Sequence, residues 1–67
     1  MTENLAQIAA IKKLAENVFN NPTLARKWLE TNNLGLGNVS PLSLLETETG
    51  RREVARVLDA IARGGVV

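Results

Sequence analysis

The sequence contains no cysteine, no histidine and no tyrosine. Without cysteine the chain has no disulfide and no thiolate ligand for a metal ion. Without histidine it lacks the commonest general base and the usual partner of a nucleophilic serine or cysteine. The net charge is +1, so the chain offers no overall attraction to nucleic acid or anionic lipid. We therefore expect a protein that is not an enzyme and that needs no cofactor or metal.

Long apolar runs are also missing. None approaches the ~20 residues that a membrane span needs, and the N-terminus carries Glu3 rather than the basic region of a secretory signal. We expect a cytoplasmic protein. The 67 residues predict one domain, and 45% hydrophobic with 22% charged residues favours a folded globule over disorder.

The apolar residues recur at helical spacing, and none of the short apolar runs is β-branched enough to favour a strand. The first helix is predicted over residues 3–19. Its apolar side comprises Leu5, Ile8, Ile11, Ala15, Val18 and Phe19. Asn21 and Pro22 start a second helix that runs to about Thr31. Its apolar side comprises Leu24, Ala25, Trp28 and Leu29.

A loop is predicted over residues 32–39, where asparagine and glycine tolerate positive φ. We expect its apolar residues to tuck under the loop; they are Leu34, Leu36 and Val39. Ser40 and Pro41 then start a very short helix over residues 41–45. Thr47 caps a last helix to Arg63, in which Gly50 indicates a close backbone approach, and Gly64-Gly65 supplies its stop. The predicted fold is an all-α bundle of about four helices.

Arginines concentrate on the last helix. Arg52, Arg56 and Arg63 share the face opposite Val54 and Leu58. A solvated face is one interpretation, because Asp59 is spaced to form ion pairs with Arg63 (i,i+4) and with Arg56 (i,i+3). A docking surface for an acidic partner is another. DNA binding is a third, which interleaved acids disfavour. Trp28 likewise has two interpretations: core packing, which its apolar neighbours favour, and anchoring of a partner.

Several short motifs follow one another in a distinctive order. They are Ala25-x-x-Trp28-Leu29, Leu36-Gly37-x-x-Ser40-Pro41-Leu42-x-Leu44-Leu45, Thr47-Glu48-x-Gly50-Arg51-x-x-Val54, and then Leu58, Ile61 and Gly64. With these spacings the chain resembles, over roughly residues 14 to 65, the toxin-binding domain of Xre/MbcA/ParS-type antitoxins. The resemblance implies an all-helical domain of a type II toxin–antitoxin system. The partner it implies is a RES-domain toxin, an enzyme that consumes NAD.

In that family the domain binds the toxin, and its C-terminal end covers the entrance to the toxin's active site. Inhibition would then be steric occlusion. The partner-binding residues that the resemblance implies are Arg52, Arg56, Arg63, Gly64, Gly65, Val66 and Val67. The residues that would mainly hold the fold are Trp28, Leu29, Pro41, Leu42, Leu45, Gly50, Val54 and Leu58.

Three features depart from the family's pattern. Asn38 replaces a glycine, although asparagine also tolerates the left-handed region. The tail after Gly64 is short. Family members usually carry an N-terminal helix-turn-helix domain, for which a chain that starts at Met1 has no room. We therefore expect a single domain over residues 1–67, with no direct binding to nucleic acid or membrane.

Two other functions are compatible with the pattern. The segment from Leu42 to Leu58 spans helix, turn and helix, as in a small DNA-binding regulator. The small core and the exposed apolar edge of the first helix also suit a homo-oligomerisation module, and a homodimer can accompany toxin binding.

Overall fold

The computed structural model describes residues 2–64 of the chain, with side chains from residue 4 onward. Four α-helices follow one another: α1 (Thr2–Phe19), α2 (Pro22–Glu30), α3 (Pro41–Leu44) and α4 (Glu48–Ala62). A 3-10 turn over Leu34–Leu36 lies between α2 and α3. Residues 2–64 contain no strand, so the predicted all-α fold with one very short helix is confirmed.

Capping side chains fix where α2, α3 and α4 begin. Asn21 accepts hydrogen bonds at its Oδ1 from the backbone N–H groups of Thr23 and Leu24, at 2.9 and 3.1 Å. Ser40 Oγ and Thr47 Oγ1 each accept the N–H three residues further on, at 3.3 and 2.9 Å. Proline occupies the first position of α2 and α3, where no N–H is required. All three predicted starts are confirmed.

The core lies where α1 packs on α2 and α4, and where α3 closes against both of the latter. Its fully or nearly buried apolar residues are Ala15, Ala25, Leu29, Leu45, Val54 and Leu58. Pro41 is buried with them, and Leu42 packs on the core while partly exposed. Trp28 is half-buried, and its ring lies 5.7 Å from that of Phe19 at the end of α1. Its core-packing interpretation therefore holds.

Two residues of the predicted apolar sides are in fact exposed. Leu5 on α1 is 68% exposed, and Leu24 on α2 is 52% exposed. Leu14, which was not assigned to the apolar side of α1, packs on the core. The second helix also ends at Glu30, with Thr31 as its C-cap, one residue earlier than predicted.

The loop before α3 does not bury its apolar residues as predicted. Leu34 is 86% exposed and Val39 is 37% exposed, whereas Leu36 packs partly against the core. The reason is a tight closure of the loop by two backbone hydrogen bonds. The Asn33 N–H donates to the Val39 carbonyl oxygen at 3.0 Å, and the Asn38 N–H donates to the Asn33 carbonyl oxygen at 2.9 Å. This closure satisfies the backbone groups but turns Leu34 outward.

A backbone carbonyl occupies the place where a side chain at position 50 would begin. A Cβ on Gly50 would overlap the carbonyl oxygen of Leu44 and stand 2.7 Å from its carbon. Gly50 is buried in the first turn of α4, and its N–H donates to Thr47 Oγ1 at 2.9 Å. The predicted close approach is therefore present, and it joins the end of α3 to the start of α4.

Candidate partner-binding surface

Two arginines of α4 and the arginine at its C-cap form an exposed row, which we call the arginine face: Arg52, Arg56 and Arg63. Their side chains are 75%, 76% and 79% exposed. The buried residues Val54 and Leu58 anchor the opposite side of the same helix in the core. The core therefore holds α4 so that the arginine face points to solvent.

Each guanidinium of the arginine face lies beside a carboxylate of its own helix. Arg52 contacts Glu48 at 3.1 Å, and Arg63 contacts Asp59 at 3.1 Å. Arg56 pairs with Glu53 at 3.8 Å. The predicted pairing of Arg56 with Asp59 is therefore wrong: Arg56 turns toward the acid one turn before it, and Asp59 is held by Arg63.

These pairs contribute little to the stability of the fold. Exposed ion pairs are typically worth about 0–1 kcal/mol, because both charges are well solvated. A carboxylate on a partner can therefore replace the intrahelical acid at small cost. The arrangement therefore suits both a solvated helix face and a reversible docking surface.

At its C-terminal end α4 stops in a left-handed turn. Gly64 has a φ of 84°, and its N–H donates to the Ile61 carbonyl at 3.0 Å. Only glycine adopts this conformation without strain, so Gly64 is the residue that ends the helix. The other assigned tail residues, Gly65, Val66 and Val67, lie outside the described residues. Gly64 itself is exposed beside Arg63.

The remaining arginine of α4 has a different environment. Arg51 is only 8% exposed, and its Nη1 donates to the carbonyl oxygen of Leu45 at 2.9 Å. Sequence reasoning noted Arg51 within a motif but gave it no role. The signal was present, since Arg51 precedes Val54 by three residues and Leu58 by seven, which is the spacing of one helix face.

No group of acids that could hold a metal ion occurs among the described residues. In the same part of the chain, no helix combines the length and apolar character that a membrane crossing requires. What the surface does offer is a charged helix face on a small, wholly helical scaffold with capped helix starts. These features define a class of protein: a small all-α module with one charged, solvent-exposed helix face.

Comparison with protein families specifies that class. The model of the antitoxin Xre/MbcA/ParS C-terminal toxin-binding domain matches residues 14–64, which is most of the chain. The chain belongs to this family, as the motifs indicated. Neither the comparison with curated proteins nor that with solved structures finds a match. The family assigns an antitoxin role and a toxin as partner.

Proposed function

We propose that this chain neutralises a RES-domain, NAD-consuming toxin by sterically covering its active site. The family match carries the proposal, because it spans all of α2, α3 and α4 and identifies a toxin-binding domain. Inhibition by binding needs no reacting group on the inhibitor. A cytoplasmic location belongs to the same proposal, and a chain without cysteine is compatible with that reducing compartment.

In this proposal α4 contacts the toxin, and the C-terminal end of the chain blocks the entrance to the toxin's active site. The arginine face docks on an acidic surface of the toxin, where the partner's carboxylates take over from Glu48, Glu53 and Asp59. Gly64 turns the chain away from the helix axis. The residues that follow it, Gly65–Val67, then reach the entrance through which NAD passes. Docking is rigid because the core already holds α4 in place.

Removal of the tail tests the block separately from the docking. We expect a chain without Gly64–Val67 to keep its helicity, measured by circular dichroism, because none of these residues lies within a helix of the described part. Its inhibition of NAD consumption by the toxin should weaken at least about tenfold, which corresponds to about 1.4 kcal/mol of binding free energy.

A narrower cut, of Gly65–Val67 alone, is the matched control because it keeps the glycine that ends α4. We expect the two cuts to weaken inhibition alike. Full neutralisation by either shortened chain would contradict the tail mechanism, whereas loss of helicity in the longer cut would assign Gly64 a role in folding instead.

DNA binding by α3 and α4 is the main alternative. Measuring the affinity for DNA at increasing salt concentration tests it. We expect no measurable binding to duplex DNA at physiological salt, because three carboxylates lie beside the three arginines of the exposed face and leave it without the net positive charge that a run of phosphates requires. Fluorescence anisotropy is measured from about 50 to 200 mM salt. Binding that weakens ~10³-fold across that range would indicate phosphate contacts and contradict the expectation.

Self-association is the second alternative, and it is supported by two exposed leucines. Leu5 and Leu24 are 68% and 52% exposed, and a second copy of the chain would cover apolar surface of this kind. The molar mass of the isolated chain in solution distinguishes a monomer from a homodimer. Either state is compatible with toxin binding through α4.

A further inference from the structure

Arg51 is a buried cation with unused hydrogen-bonding capacity. A guanidinium carries five N–H donors, and the described residues provide Arg51 with one acceptor, the Leu45 carbonyl oxygen. No buried side-chain nitrogen or oxygen of the described residues lacks a partner. The other nitrogens of Arg51 therefore still reach solvent, although the residue as a whole is 92% buried.

Arg51 also lines a groove between α1 and α4. The groove has a volume of about 310 Å³ and is lined by Gln7, Ala10 and Ile11 of α1 and by Glu48, Arg51, Arg52 and Ala55 of α4. It is open to solvent, and alanine and isoleucine side chains make up part of its lining. A side chain of a partner can therefore enter it beside Arg51.

Among the described side chains, no carboxylate lies within 4.0 Å of Arg51. The nearest acid in sequence that lines the groove is Glu48, whose carboxylate is held by Arg52 at 3.1 Å. A charge withdrawn from water without a counter-charge is unfavourable, and pairing it with hydrogen bonds to an anion offsets that cost. Arg51 thus differs from the arginine face, whose members all have acids beside them.

We infer that the groove between α1 and α4 is a second contact point for the toxin, in which Arg51 receives an aspartate or glutamate side chain of the partner. The inference rests on the proposed function and specifies the partner's chemistry. A carboxylate fits because a guanidinium binds it through two parallel hydrogen bonds. Ala10, Ile11 and Ala55 then cover the methylene groups of that acid.

A phosphate of a nucleic acid fits the groove less well. The walls are partly apolar, and Glu48 at the rim repels an ion of higher negative charge. Contacts to a nucleic-acid backbone are made by exposed cations that follow the strand, whereas Arg51 is buried at a single point. The single buried cation and the mixed lining therefore favour one protein side chain.

A carboxylate introduced into the groove tests whether Arg51 is available, without any toxin. Ala55 lies four residues after Arg51 on α4, at a spacing that allows a side-chain pair. We expect Ala55→Glu to melt about 1–4 °C above Ala55→Gln at pH 7. The same comparison is repeated in chains that also carry Arg52→Gln. A difference in melting temperature that persists there does not come from an ion pair between the introduced carboxylate and Arg52.

The pH dependence of this difference follows from the sign of the pairing. A neighbouring cation lowers the pKa of the introduced carboxyl in the folded state, so the stabilisation is present above its unfolded pKa. The stabilisation is lost as the pH falls through the lowered pKa of that carboxyl in the folded state. We expect equal melting temperatures at about pH 2.5. Equal melting temperatures at pH 7 as well would overturn the inference.

Toxin affinity provides the second arm, with the purified product of the adjacent reading frame as the probe. We expect Ala55→Glu to weaken binding at least about tenfold, because its carboxylate occupies Arg51 and repels the partner's acid. Ala55→Gln fills the same space without charge and should weaken binding clearly less. Ala9→Glu makes the same charge change on the far side of α1, about 200° around the helix from Gln7, and should leave binding unchanged.

The outcomes separate this inference from the proposed function. Equal losses for Ala55→Glu and Ala55→Gln would mean that space rather than charge decides, which overturns the inference and leaves the antitoxin role intact. If both variants bind the toxin as tightly as the unchanged chain does, the inference is likewise overturned and the antitoxin role stays intact. Failure of the unchanged chain to bind the toxin would overturn the proposed function and this inference together.

Discussion

Replacing Leu58 with alanine should leave much of the population unfolded at 37 °C. Leu58 is fully buried at the centre of the core, and removing a buried leucine side chain costs about 2–5 kcal/mol through lost burial and the cavity that remains. A domain of 67 residues has only about 3–10 kcal/mol of total stability at ~0.05–0.15 kcal/mol per residue. Thermal unfolding followed by circular dichroism should show a melting temperature lower by at least about 10 °C.

Leu34→Ala is the matched control, because it removes the same atoms from a side chain that is 86% exposed. Its melting temperature should stay within about 3 °C of that of the unchanged chain, since a surface substitution usually changes stability by less than about 0.5 kcal/mol. Similar losses for Leu34→Ala and Leu58→Ala would contradict the packing described above.

Gly50→Ala should also destabilise the protein, by about 2 kcal/mol or more. Alanine has a helix propensity about 1 kcal/mol better than glycine, which by itself predicts the opposite sign. The added Cβ, however, meets the Leu44 carbonyl group, a backbone obstacle that only a shift of α3 against α4 relieves. Overpacking of this kind costs about 1–3 kcal/mol and sometimes more, and we expect it to win. Urea unfolding measures the difference.

Gly35→Ala separates the steric effect from the change of residue type. There the new Cβ would stand 3.1 Å from the Asn33 side-chain oxygen, which can move, and the backbone is not left-handed. We expect a change of less than about 1 kcal/mol. A Gly50→Ala variant that proves more stable than the unchanged chain would show that α3 and α4 are not in contact at this point.

The parts of the fold that sequence predicts well depend on local chemistry. Asn21, Ser40 and Thr47 each accept hydrogen bonds within three residues, so their roles as caps are readable from a few letters. Gly50 was readable too, because a glycine early in an apolar helix face carries a cost that close packing explains. The helix starts and a close backbone approach at Gly50 followed from these signals, whereas the identity of the approaching backbone, the end of α3, did not.

Errors occurred where the outcome depended on backbone pairing within a loop or on a choice between two equally spaced side-chain partners. The outward turn of Leu34 results from the pairing of Asn33 with Val39, which no spacing rule contains. Arg56 had acids at two suitable distances, and side-chain geometry selected Glu53. Arg51 was assigned neither a face nor a role, although its spacing to Val54 placed it on the buried face of α4.

The candidate surface was predicted in part. The arginine face is exposed as its spacing indicated, and Gly64 ends α4 as assigned. The groove above Arg51 was not predicted, because it exists only where α1 lies across α4, and their relative position is a tertiary feature. Helical spacing in a sequence indicates a charged helix face, but it does not indicate a cleft that forms between two packed helices.

The most direct test of the account measures NAD consumption by the purified toxin while this chain is added in increasing amounts. We expect consumption to fall in proportion to the chain added and to stop near one equivalent, with excess NAD raising the amount of chain required, because both need the same entrance. A complex that forms at equal amounts yet leaves NAD consumption unchanged would contradict inhibition by occlusion.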